Sequence, residues 1–179
     1  MNNLENLPAR GAKERTQVVV ETPKGATAKF KFDSRLGAFK YVRSLKGRLA
    51  YPFDWGFVPS TAASDGDPLD AMILHDDTSF PGAVFSCRAV GVLEVQQREK
   101  GKTFRNDRVI FVPSIETKPD DAKAAAAKLA KNKKRLERFF KAAVVGTGKE
   151  LTYLGWRDAK AANSAVRKAV ASFRKKRRR

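Results

Sequence analysis

The chain has 179 residues, 42% of them hydrophobic, and a formal net charge of +18, which suits one domain with its own core and excludes a disordered polymer. No apolar run is long enough for a bilayer and the polar N-terminus has no signal-like apolar stretch, so no membrane insertion and a cytoplasmic location are expected. Cys87 is the only cysteine, which excludes an intrachain disulfide and a multi-cysteine metal centre.

In chain order, residues 1–14 read as a flexible arm, 15–173 as one barrel domain, and 174–179 as a basic tail. Short strands are predicted at 17–22, 27–33, 38–43, 71–75, 83–95 and 107–112. The stretch Thr27–Asp33 alternates, with Ala28, Phe30 and Phe32 on one face and Lys29, Lys31 and Asp33 on the other. Turns are read at Pro23-Lys24-Gly25, Ser64-Asp65-Gly66 and Pro81-Gly82, and the polar stretch 96–105 is read as a further break. Many short strands between turns suggest a small closed or nearly closed barrel. Beyond Pro113 the spacing becomes helical, with Leu129, Leu136, Phe139, Phe140 and Ala143 on one face and Asp120 and Asp121 at the N-terminal end. A last strand at 151–154 leads into a second helix opened by Asp158, with Ala162, Val166, Ala169, Val170 and Phe173 on its apolar face. The expected class is mainly β with flanking helices, a barrel with two outer helices.

The charge is uneven, concentrated at Lys131–Arg135 and Arg174–Arg179. A solvated helix face explains the first cluster; the tail leaves open a contact with nucleic acid or another polyanion. No zinc-finger, helix-turn-helix or RNA-recognition signature accompanies it.

Chemistry concentrates in Asp65-Gly66-Asp67-Pro68-Leu69-Asp70, with three carboxylates in six residues. Gly66 permits a positive φ and Pro68 stiffens the loop, so the acids can converge. Carboxylates held that close repel unless a cation lies between them, and all-oxygen ligands favour a hard ion, magnesium with manganese as the alternative. Pro68 and Leu69 stand where an EF-hand loop needs polar ligands.

This segment resembles the D-x-D-P-x-D signature of the family I soluble inorganic pyrophosphatases, and flanking segments resemble the same family in the same order. They are Glu21-Thr22-Pro23-Lys24-Gly25, Lys29-Phe30, Arg43, the stretch Tyr51-Pro52-Phe53-Asp54-Trp55-Gly56-Phe57-Val58-Pro59, Cys87–Leu93 and Gly155-Trp156. The resemblance spans roughly residues 15–175. It implies a five-stranded OB-like barrel with flanking helices, hydrolysis of pyrophosphate, and frequently a homo-oligomer. It also implies roles: Asp65 and Asp70 as metal ligands, Asp67 as general base, and Glu21 supporting an ion through water. Lys29, Arg43, Tyr51 and Lys141 would bind phosphate.

Several positions depart from the family pattern. Lys31 stands where the family has a glutamate, and Asn106 where it has a metal-binding aspartate. Gln97 and Arg98 occupy the region of another acidic pair, with Glu99 the nearest alternative; Asp107 would replace the lost aspartate only if its strand slipped by one residue. Arg108 is the basic residue two after Asn106; Trp55 replaces a phosphate-touching tyrosine and Phe140-Lys141 replaces Tyr-Lys, and Arg108, Lys31 and Trp55 are further candidates for binding substrate. Acids become neutral or basic, so a reduced metal set is expected, with Lys31 supplying charge. The alternatives are a degenerate relative that binds a phosphorylated ligand or polyanion without turnover, and a hydrolase of another phosphoanhydride. His75 is read as a loop or interface histidine rather than a ligand, Cys87 as buried among apolar neighbours, and Phe57 and Trp156 as packing.

Overall fold

A computed structural model of the chain describes residues 3–11, 15–114 and 121–178. Among the described residues, nine strands and two long helices form in the order β1 (Thr16–Thr22), β2 (Ala28–Asp33), β3 (Ala38–Ser44), β4 (Asp54–Val58), β5 (Leu69–Ile73), β6 (Val84–Glu99), β7 (Lys102–Arg105), β8 (Arg108–Pro113), α1 (Ala122–Ala143), β9 (Lys149–Arg157) and α2 (Ala159–Arg177). The neighbours run β1-β4-β5-β8-β6, and β1 also pairs with β6, which closes a five-stranded ring. Among the described strands, β5 and β8 pair in parallel and the other pairs are antiparallel. The mainly-β fold with an OB-like barrel and two flanking helices, expected from the sequence, is the one observed.

Strand β6 is long because its two halves take different partners within one seven-stranded sheet. Its first half closes the ring against β1 and β8; its second half pairs with β7 and β9. The β6–β7 turn is Lys100-Gly101, with φ of 50° and 75°. Two successive positive φ values make a tight hairpin turn whose twist matches its strands. The polar stretch 96–105, read from sequence as a break, is thus a hairpin. β4 was not anticipated either: all five of its residues are buried, so it lacks the alternation that marks a half-exposed strand. The hairpin β2–β3 forms a separate two-stranded sheet.

Alternate residues along the strands feed two cores. Ala71, Ile73, Val109 and Phe111 pack with Val166 of α2, whereas Met72, Leu74, Ile110 and Val112 pack with Leu136 of α1. Both helices start on an aspartate cap, as the sequence suggested: Asp121 accepts from the Ala124 N–H and Asp158 from the Ala161 N–H. Asp120 lies outside the described residues. α2 carries through Arg174, Lys175, Lys176 and Arg177 as helix, so most of the basic end is ordered as the last turns of α2. At the other end, Leu4 and Leu7 pack against Val19, Phe32 and Phe57, and Ala9 is buried.

Two further devices position the site. Asp54, at the start of β4, accepts from the Lys24 N–H at 2.8 Å and meets His75 Nε2 at 2.6 Å, both side chains being buried. Burial raises the Asp54 carboxyl, but His75 and the Lys24 N–H outweigh it and hold it below the usual range. Gly56 lies so close to β1 that a Cβ there would sit 1.8 Å from the Val19 carbonyl oxygen. Gly56→Ala is therefore expected to cost about 3 kcal/mol of folding stability by forcing β1 and β4 apart. An unchanged urea midpoint would refute that.

Candidate active site

The acidic loop joins β4 to β5 and is folded by its own backbone. Ala63 N–H donates to the Asp67 carbonyl, Gly66 N–H to the Ala63 carbonyl, and Asp67 N–H to Asp65 Oδ1 at 3.1 Å. Gly66 sits at φ 88°, the conformation for which glycine is suited. Thr61 anchors the far side, its Oγ1 accepting from the Leu69 N–H at 2.8 Å. Asp70 follows on β5, opposite Phe57 of β4.

Two of the three loop acids meet a cation from a distant strand. Lys31 Nζ on β2 lies 2.6 Å from Asp67 Oδ2, and Arg108 Nη1 on β8 lies 2.5 Å from Asp70 Oδ2. Burial works against the Lys31 charge, yet Asp67 prevails and holds the ammonium above its ordinary range. Asp65 is different: burial and then the neighbouring Asp70 push its carboxyl up, with the Asp67 N–H only partly compensating.

Asp70 is the electrical centre of the group, close enough to influence Glu21, Lys29, Lys31, Tyr51 and Asp65. Lys29 faces Arg43 across the β2–β3 pair, and its ammonium is lowered by burial, against support from Asp70 and Glu21. Glu21 is only 6% exposed and accepts from the Phe32 N–H at 2.8 Å. Burial raises its carboxyl to about 7, partly offset by that hydrogen bond and by Lys29. Tyr51 packs on Phe139 with ring centroids 4.9 Å apart, and burial pushes its hydroxyl up.

Other expected residues are engaged elsewhere. Arg43 donates to the Ser44 and Ala143 carbonyls, joining β3 to the end of α1. Lys141 Nζ sits over the Tyr153 ring at 5.2 Å. Asn106 is buried and donates to Gln97 Oε1 at 3.2 Å. Trp55 is buried too, its ring facing Arg108 at 5.4 Å. Asp107 turns to Arg105 and the Val95 N–H, because β8 keeps its register and neighbours on a strand face opposite ways. Glu99 pairs with Lys149 at 3.2 Å.

The surroundings of Arg108 were not read from the sequence. Its Nη1 also donates to the Asn106 carbonyl at 2.8 Å and its Nη2 to Gln97 Oε1 at 3.4 Å, while Phe140 lies 6.0 Å from the guanidinium on the side of α1. One signal was available: a permanent cation opening the apolar strand Arg108-Val109-Ile110-Phe111-Val112 needs a buried counter-charge.

The donor set admits a hard ion only narrowly. Among the described residues no three carboxylate, histidine or cysteine side chains stand grouped as a ready-made metal cage. What remains is the Asp65 carboxyl, raised by burial and then by Asp70 and without an ion-pair partner among the described residues; its oxygens are of the kind a hard divalent cation takes.

The family model described as inorganic pyrophosphatase matches residues 18–174. An inorganic pyrophosphatase of Thermus thermophilus is 36% identical over 178 residues, covering 97% of this chain and 99% of the relative. One from Halobacterium salinarum is 34% identical, covering 84% of each. The crystal structure of the Thermus thermophilus protein superposes with a TM-score of 0.85 at 35% identity, covering 97% of this chain and 99% of that one. The Coxiella burnetii pyrophosphatase structure gives 0.81 at 26% identity, with 93% and 99% covered. With a family model matched across the barrel and both helices, and relatives matched nearly end to end, the chain belongs to the inorganic pyrophosphatase family.

Proposed function

We propose that the chain hydrolyses inorganic pyrophosphate to two phosphates, and that the acidic loop facing Lys29, Lys31 and Arg108 is where it does so. The observation that carries this reading is the gathering of opposite charges around Asp70 within a fold matched along its length by pyrophosphatases. Splitting a phosphoanhydride is mainly a matter of neutralising charge on the attacked phosphoryl and the departing phosphate.

Asp67 is the general base: held in place by its pair with Lys31, it can take a proton from an attacking water. Asp65 and Asp70 would hold magnesium, or manganese, with Glu21 supporting from behind through water; Asn106, as a neutral amide, would add at most a carbonyl oxygen. When bound, such an ion lowers the pKa of water and screens phosphate charge. Lys29, Arg43, Tyr51 and Lys141 would hold phosphate oxygens, Arg43 and Lys141 after leaving the Ala143 carbonyl and the Tyr153 ring. Lys31 supplies positive charge where the family pattern has an acid, so the working metal set is smaller. Trp55 serves by bracing Arg108.

A second reading is favoured by the same two ion pairs. With Asp67 and Asp70 already neutralised, the site would bind a phosphorylated anion without turning it over, or act on a longer phosphoanhydride. No described helix is long and apolar enough to cross a membrane, in keeping with work in the cytoplasm. Exposed Phe80 (67%) and Val84 (45%) would suit a homo-oligomer contact. The basic last turns of α2 would suit a polyanion such as nucleic acid.

Three outcomes follow. Asp67→Asn is expected to slow phosphate release from pyrophosphate with magnesium at least about a hundredfold. A rate near wild type sinks the assignment, and release from tripolyphosphate or nucleoside triphosphates alone points to the other substrates. Glu21 titrates higher folded than its ordinary 4.5, so its contribution to stability is full below that value and is lost as pH rises through about 7. In EDTA at pH 8, Glu21→Gln is therefore expected to be more stable than wild type by on the order of 3 kcal/mol, the gap closing near pH 4. Equal urea midpoints at both pH values would contradict it. Removing residues 174–179 should abolish salt-sensitive binding to single-stranded RNA; affinity that ignores salt would dismiss the polyanion contact.

A further inference from the structure

A site that relies on bound metal for positive charge is acid-rich when empty and repels a free phosphate anion. This cleft is arranged otherwise. Asp67 is met by Lys31, and Asp70 by Arg108 with Lys29 nearby, so two of the three loop carboxylates are matched by cations before any ion arrives.

Arg108 is no casual counter-ion. The residue is 6% exposed, flanked by the rings of Trp55 and Phe140, and tied to the Asn106 carbonyl. Gln97 and Asn106, both buried, join to each other, and the Gln97 carbonyl oxygen takes a long 3.4 Å bond from Arg108 Nη2. Amides at both positions orient the guanidinium while adding no negative charge. Carboxylates there would turn the same pocket into a cation trap.

Donors remain for a ligand. Asp70 and the Asn106 carbonyl take Nη1, while Nη2 is committed only to the long Gln97 bond. Lys31 spends one of three ammonium protons on Asp67 and is half-exposed at the mouth of the cleft. A guanidinium and an ammonium paired with Asp70 and Asp67, three residues apart in the chain, suit two linked phosphoryl groups.

We infer that the cleft takes its diphosphate as the metal-free anion, with Lys31 and Arg108 as the clamp that stands in for substrate-borne metal, and with Gln97 and Asn106 positioning Arg108. This rests on the reading that the cleft binds pyrophosphate. It concerns the form of the substrate, not the bond that is broken.

The test is calorimetric titration of imidodiphosphate, a P–N–P analogue that resists hydrolysis, into the full chain in EDTA and again with magnesium. Saturable binding in EDTA is expected, within about tenfold of that with magnesium. Lys31→Gln and Arg108→Lys should each weaken it by about tenfold. Because Arg108→Lys alters a buried site, Lys31→Gln, at a half-exposed side chain, is the decisive variant, and melting curves screen both. No heat in EDTA with binding only after magnesium overturns the inference, as does wild-type affinity in Lys31→Gln. A phosphate-release assay separates the two claims. Turnover with magnesium but no binding in EDTA rejects the metal-free substrate alone; binding in EDTA with no turnover under any metal rejects hydrolysis alone.

Discussion

The pairing of Asp70 with Arg108 is the constraint around which the site is built. Taking both charges out of water costs several kcal/mol per ion unless geometry and further hydrogen bonds offset it. Here the offsets come from five places: Asp70 on β5, the carbonyl of Asn106, the amide of Gln97 on β6, the ring of Trp55 on β4 and that of Phe140 on α1. One guanidinium therefore ties together the walls of the cleft. It also sets the electrical character of Asp70, on which the surrounding ionisable groups depend.

The acids of the loop are handled in two ways. Asp67 and Asp70 are met by side-chain cations, whereas Asp65 has only a backbone N–H and titrates upward under burial and the pressure of Asp70. That asymmetry leaves Asp65, among the described residues, as the loop acid without a side-chain cation against it. The formal net charge of +18 works in the same direction at longer range, since a strongly positive surface raises the local concentration of small anions. Glu21 fits the pattern as well: buried behind the loop with its carboxyl raised to about 7, it carries only part of its negative charge at neutral pH.

Much of the fold was legible because it rests on local rules. Alternation announced β2, helical spacing with aspartate caps announced α1 and α2, and Gly66 with Pro68 announced a stiff loop. β4 escaped because burial on both faces erases alternation, and β7 because its residues are mostly polar and exposed. Among the site residues, those sharing the loop were legible together. Trp55 stands where the family pattern has a phosphate-touching tyrosine, and its ring faces Arg108, a neighbour that no spacing rule could supply.

By itself the sequence determined which groups are present and how near neighbours behave: three carboxylates on a rigid turn, basic residues at strand positions, and amides at 97 and 106. Local geometry follows from local chemistry, so these features need no knowledge of the rest of the chain. Only the tertiary structure decided which cation meets which acid, because Lys31 lies 36 residues from Asp67 and Arg108 lies 38 from Asp70. Those partners are brought together by ring closure between β1 and β6 and by the register of β8 against β5 and β6. The physical reason is that charge pairing in a desolvated cleft depends on distances of a few ångströms between strands that only the closed barrel sets side by side.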